Sequence, residues 1–205
     1  MLVAEKILIK KFGTVAYQTT LEAMREFTAR RDADTADELW FLEHQPVYTL
    51  GLAADAAHGP RPGSGIPVVQ VERGGEITYH GPGQIVLYTL VDLARRGIKV
   101  KQFVALLEQS VIELLGKRAE RRPGAPGIYV GGAKVAALGI RVSRGCAFHG
   151  LSLNVDMDLT PFSAIDPCGH PGMKVTQTRD LGMVEDKETL GDRLAGILVA
   201  KLEHA

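Results

Sequence analysis

The chain has 205 residues, 45% of them hydrophobic and 23% charged, with 24 Lys and Arg against 24 Asp and Glu. That balance fits a globular chain with one core of ordinary size and excludes a disordered or fibrous one; with zero net charge, no global field draws it to nucleic acid or a membrane surface. No apolar run approaches the roughly 20 residues that cross a bilayer, charges interrupt residues 1–6 where a signal peptide needs an apolar run, and two cysteines are too few for a disulfide framework, so a cytoplasmic protein with free thiols is expected.

In chain order, a strand is expected over 6–10 and a helix over 15–30, with Leu21, Met24 and Phe27 on one face. Strands follow over 38–43 and 47–50, then a surface loop over 53–67 rich in Gly and Pro, then strands over 68–71, 77–79 and 84–91. The spacing of Phe103, Leu106, Leu107, Val111, Leu114 and Leu115 predicts a helix over 99–115, closed by Gly116. A Pro-Gly turn over 121–127 leads into strands at 128–130, 134–142 and 147–155, and a last helix covers 189–202. There is no internal repeat, and residues 1–205 read as a single domain. Strands come in clusters rather than in strict alternation with helices, so the expected fold is mixed α/β, of α+β character, with helices covering antiparallel-rich sheet. Local basic groups, Lys117 and Arg118 with Arg121 and Arg122, and Arg141 with Arg144, read as ordinary solvated faces unless a partner is acidic.

Four segments carry chemistry. The densest is Arg73-Gly74-Gly75-Glu76-Ile77-Thr78-Tyr79-His80-Gly81-Pro82-Gly83-Gln84. Its glycines let backbone N–H groups approach a carbonyl or thioester oxygen, with Arg73, Thr78 and His80 as side-chain donors; the plain alternative is a pair of hairpin turns. Nucleotide loops are incomplete: Val86 stands where Gly81-Pro82-Gly83 needs a third glycine, and Ala133 stands where the Gly127 and Gly132 pair needs a lysine. In the second segment, Lys134 opens an apolar strand, either snorkelling to solvent or standing beside a thiol to stabilise the thiolate and move a proton. The third, 146–155, holds His149, Gly150, Leu151 and Ser152 but lacks the second glycine of a nucleophile elbow, which argues against Ser152 as nucleophile. The fourth sets Cys168 between Pro167 and Gly169, as an aimed, exposed thiol would be. A zinc site from Cys146, His149, Cys168 and His170 is disfavoured, because residues three apart on a strand diverge and Cys168-x-His170 is too tight; Cys146 reads as a small buried hydrophobe.

Together the 73–84 segment, Lys134 with Leu138-Gly139, His149-Gly150-Leu151-Ser152-Leu153-Asn154 and Pro167-Cys168-Gly169 closely resemble the lipoyl(octanoyl) transferase family over nearly the whole chain. The resemblance implies a single domain of the biotin-protein ligase and lipoate-protein ligase catalytic-domain type. It implies transfer of octanoyl, or lipoyl, from acyl carrier protein to a lysine of lipoyl domains of 2-oxoacid dehydrogenases and the glycine cleavage H protein, with no cofactor or metal and no nucleic-acid or membrane partner. Residue by residue, Cys168 matches the family's thioester nucleophile and Lys134 the lysine that lowers its pKa. Arg73, Gly74, Gly75, Glu76, Ile77, Thr78, Tyr79 and His80, then Ala137, Leu138 and Gly139, then Gly150, Leu151 and Ser152 match the segments lining the acyl pocket. Ala137 departs from the serine of many members. The rival of the same fold is an ATP-dependent lipoate or biotin ligase, against which Cys168 and the missing phosphate loop argue; a rival of another class is a non-catalytic acyl-binding or zinc-stabilised module.

Overall fold

The computed structural model describes residues 6–55, 59–60, 65–165 and 172–205. Strands β1 (Leu8–Val15) and β2 (Glu38–His44) run parallel, with α1 (Tyr17–Arg30) between them in sequence. Next, β3 (Val47–Leu50), β4 (Val68–Gln70) and β5 (Ile77–His80) form a small sheet ordered β4-β3-β5. Then come β6 (Gln84–Asp92), α2 (Val100–Leu115), β7 (Ala119–Arg121), β8 (Ile128–Val130), β9 (Ala133–Ser143) and β10 (Cys146–Asn154). The large sheet runs β1-β2-β6-β10-β9-β8-β7, antiparallel everywhere except at β1–β2. Among the described residues, the 3-10 turns Thr160–Ala164 and Arg179–Leu181 precede α3 (Lys187–Glu203).

The near-continuous apolar run of β6 is explained by cover on both faces. Ile85 and Leu87 join the cluster that holds Phe103, Leu107 and Val111 of α2 with Leu190, Leu194 and Leu198 of α3. Val86, Tyr88 and Leu90 alternate to the other face and meet Tyr17, Leu21 and Met24 of α1. A third cluster, with Tyr48, Ile77, Tyr79, Phe162 and Ile165, fills the space under the small sheet. Asp37 is fully buried at the end of β2, where its carboxylate accepts from Arg31, from Arg95 at 3.0 Å, from Arg96 at 2.5 Å and from the Asp92 N–H at 2.8 Å.

The helical periods match the structure to within two residues. α3 starts earlier than its apolar period because the Asp186 carboxylate accepts from Thr189 N–H at 2.8 Å and caps it. Gly116 closes α2 with φ +80°, its N–H donating to Ile112 O. The first strand extends beyond its expected end at Lys10 to Val15: Gly13 sits at φ +67° in a register shift between Lys11 and Thr14. β7 has no strand-like composition and exists because the 121–127 turn folds it back on β8. Of the basic groups, Arg144 donates to the Thr28 and Ala29 carbonyls near the end of α1, and Arg121 pairs with Glu108, so both are tied to the fold.

Candidate active site

Between the large sheet and the small one lies a mostly apolar cavity of about 230 Å³. Three separated stretches converge on it: Arg73 to Thr78 with His80, Lys134 with Ala136 to Ile140, and His149 to Ser152 with Asn154. Cross-strand register accounts for the convergence of the last two. Gly150 pairs with Gly139 and Ser152 with Ala137, so small side chains from β9 and β10 share one face beside Val86 and Tyr88 of β6. Gly139 has a second reason to lack a side chain, since a Cβ there would lie 2.7 Å from the Gly74 carbonyl and 3.1 Å from Arg73 Cδ. The 73–75 loop therefore lies directly on β9, held by Gly74 N–H donating to Ile140 O at 2.9 Å. Arg73 is itself fixed, donating to the Thr49 carbonyl and hydroxyl at 2.8 Å each and to Gly74 O at 3.0 Å.

Lys134 is 5% exposed and lines the cavity, so it does not snorkel to solvent. A β-bulge aims it. Ile128 pairs with Ala136 but the next residue, Tyr129, pairs with Lys134, which leaves Val135 as an extra residue in β9. Without that insertion, two-residue alternation would put Lys134 on the face of Ala136, a residue shared between the cavity and the apolar cluster under α2 and α3. Its Nζ donates to Pro126 O at 3.1 Å and stands 5.4 Å from the Tyr129 ring centroid. Its backbone N–H and C=O are paired to Lys174 O and Thr176 N–H, which fixes the strand at this point.

The polar wall is a chain of hydrogen bonds whose directions can be assigned. The Thr176 carbonyl only accepts, so Asn154 Nδ2 donates to it at 3.0 Å and Asn154 Oδ1 faces Gln84, whose Nε2 donates to that oxygen at 3.0 Å and to Tyr79 O at 3.2 Å. Gln84 Oε1 is left as acceptor, and His80 Nδ1–H donates to it at 2.7 Å. The neutral imidazole of His80 thus carries its lone pair on Nε2. A second chain ends on Val15 O, which accepts from His44 Nδ1–H at 3.1 Å. His44 Nε2 then accepts from the Tyr88 hydroxyl at 2.7 Å, and the Tyr17 hydroxyl, bonded to Tyr88, donates to it.

Burial keeps these groups neutral. Desolvation lowers His44 to about 4, His80 to about 3 (with the neighbouring His44 adding to the effect) and His149 to about 4, while it raises Tyr17 to about 12.

Every sequence-derived pocket residue among those described lines the cavity except Tyr79. Thr78 and His80 face inward, so strand alternation turns the Tyr79 ring away, against Tyr48 at 5.5 Å and Phe162 at 5.5 Å between centroids. Cys168, the nucleophile candidate, lies outside the described residues. Cys146 is buried away from the cavity, beside Thr28 and Arg31, and burial raises its thiol pKa. Sequence reasoning missed Tyr17, Tyr88 and Phe162 on the wall; nothing in their local pattern distinguishes them from core residues. His149 and Asn154 lay inside a recognised segment, where an isolated histidine next to glycine in an apolar strand was the available signal.

The Lipoyl protein ligase A/B catalytic domain model matches residues 16–190. An octanoyltransferase from Dechloromonas aromatica (strain RCB) is 54% identical over 200 residues, 96% of this chain and 97% of that one. The chain belongs to the octanoyltransferase family. It is an acyltransferase. The fold is also that of a bi-partite lipoate protein ligase from Thermoplasma acidophilum, with a TM-score of 0.76 at 15% identity, covering 97% of this chain and 84% of the other. A biotin protein ligase from Aquifex aeolicus shares it more loosely, with a TM-score of 0.54 at 12% identity over 97% of this chain and 68% of that chain. These two likenesses bear on the fold alone. The expected mixed-sheet catalytic-domain architecture is thereby established, and so is the family to which the motifs pointed.

Proposed function

We propose that the chain acts in the cytoplasm as one catalytic domain that moves octanoyl from acyl carrier protein to the target lysine of lipoyl domains, including those of 2-oxoacid dehydrogenases and the glycine cleavage H protein, through a thioester on Cys168. The observation that carries this beyond family membership is Lys134: a lysine aimed by a bulge into a mostly apolar cavity has no packing reason to be there. Both flanks of the Cys168 segment support the pairing of the two residues. Phe162 before it and Val175 after it line the same cavity, and Lys134 N–H donates to Lys174 O.

In the first step the Cys168 thiolate attacks the thioester carbonyl, forming a new C–S bond while the phosphopantetheine sulfur leaves and takes a proton from the Lys134 ammonium. The exchange is nearly balanced because one thioester replaces another. In the second step the acceptor amine attacks, the C–S bond to Cys168 breaks, and the amine's proton passes to Lys134. The amide is the more stable product, so no nucleotide is consumed. The apolar cavity accepts the acyl chain, and each buried methylene contributes about 0.8 kcal/mol of binding. No helix among the described residues is long and apolar enough to cross a membrane.

The test is intact mass after mixing the protein with octanoyl-acyl carrier protein. A gain of one octanoyl in wild type and none in Cys168→Ser, with circular dichroism unchanged, is expected. Absence of the adduct together with ATP-dependent attachment of free lipoate would replace this function with that of a ligase.

A further inference from the structure

His149 is 1% exposed and lines the cavity, yet neither ring nitrogen has a hydrogen-bond partner among the described residues. It holds φ +62° in the middle of β10, a conformation a histidine adopts only at a cost. Each other nitrogen-bearing side chain of the polar wall described above is partnered: Arg73 by Thr49 and Gly74, His80 by Gln84, His44 by Val15 and Tyr88. An orphaned, buried, neutral imidazole in a trough whose other described polar side chains are partnered is expensive unless the empty position beside it has a use.

Its place along the trough gives that use. Lys134 Nζ stands beside Pro126 and Gly127, and a Cβ on Gly127 would lie 2.7 Å from Ala136 O, so the ammonium lies at the level of Ala136. His149 pairs with Ile140, four residues further along β9. At about 3.3 Å per residue the two are about 13 Å apart. A reacting carbonyl about 3 Å from Lys134 leaves roughly 10 Å of trough. An extended eight-carbon chain, built from bonds of about 1.5 Å, spans roughly 9 Å. The far end is closed by the 73–75 loop lying on Gly139 and Ile140.

We propose that His149 is a polar stop that sets acyl chain length: an eight-carbon chain ends short of its ring, leaving room for water on the imidazole, whereas one more methylene must strip that water and leave both nitrogens unpaired. The residue determines specificity and takes no part in bond making. The inference rests on Lys134 marking the reacting end, as proposed above.

The test compares kcat/KM for octanoyl-, nonanoyl- and 8-hydroxyoctanoyl-acyl carrier protein in wild type, His149→Leu and His149→Gln. The last two acyl chains have the same number of heavy atoms and differ only in whether the tip can hydrogen-bond. In wild type the nonanoyl chain is expected about tenfold below octanoyl, and 8-hydroxyoctanoyl clearly above nonanoyl. His149→Leu should reverse the order of the two isosteric chains, and His149→Gln should keep it. A wild-type preference for nonanoyl over 8-hydroxyoctanoyl overturns the inference without any variant, as does an unchanged order in a His149→Leu protein with a cooperative melt. If wild type transfers none of the three chains, the underlying octanoyl-transfer function fails; transfer of all three at equal rates sinks only the polar stop.

Discussion

Replacing Lys134 with methionine separates a catalytic lysine from a structural one. The side chain is almost fully buried, so its ammonium has lost hydration, a penalty of several kcal/mol for an ion in a protein interior. Among the contacts that offset it are the bond to Pro126 O, with a net value of about 1 kcal/mol, and the Tyr129 ring, contributing about 0.5–1 kcal/mol. Methionine keeps the length and volume of the chain and removes the charge. Stability should therefore hold or rise by up to about 2 kcal/mol, and since about 1 kcal/mol shifts Tm by about 2–4 °C for a chain of this size, the melt should stay put or move up by as much as about 8 °C. Octanoyl transfer should fall by about 10²–10⁴, the usual cost of losing a positioned acid and base. Differential scanning calorimetry and a gel-shift assay on a lipoyl domain read the two effects independently. A Tm lowered by more than about 3 °C, with transfer kept above a tenth of wild type, would refute the reasoning and make Lys134 a structural residue.

Three other outcomes follow from particular contacts. His44, His80 and His149 have depressed pKa values in the fold, so below pH 6.5 the unfolded chain takes up protons that the native one refuses; their contribution is complete above pH 6.5 and is lost as pH falls toward about 4, by about 1.4 kcal/mol per pH unit for each histidine that stays neutral. Urea denaturation at pH 7, 6 and 5 should show at least one proton's slope, and a flat profile would mean the rings are solvated. Gly139→Ala should press a methyl group against Gly74 O and strain the Gly74–Ile140 bond, costing about 1–3 kcal/mol in denaturation midpoint and raising KM for the acyl donor more than it changes kcat. Asp37→Ala leaves Arg31 buried without its carboxylate and should cost about 3–5 kcal/mol, measured as a loss of Tm, with little change in the activity of protein that remains folded.

Local pattern carried the elements. Apolar spacing on a 3.6-residue period indicated three helices, and the β-rich run of 84–91 indicated a strand, whose cover on both faces the structure shows. Glycine-rich motifs identified the segments that meet at the cavity, because a glycine needed for close backbone approach, such as Gly139 under Gly74, is written directly into the chain. The sequence by itself therefore determined which residues are available to the chemistry. Only the tertiary structure decided where they point: the bulge that turns Lys134 out of the apolar cluster, the alternation that sends Tyr79 away, and the strand register that sets His149 four residues beyond Ala136. Those facts arise from pairings between strands far apart in the chain, where one residue of register moves a side chain to the opposite face of the sheet and no local propensity records the choice.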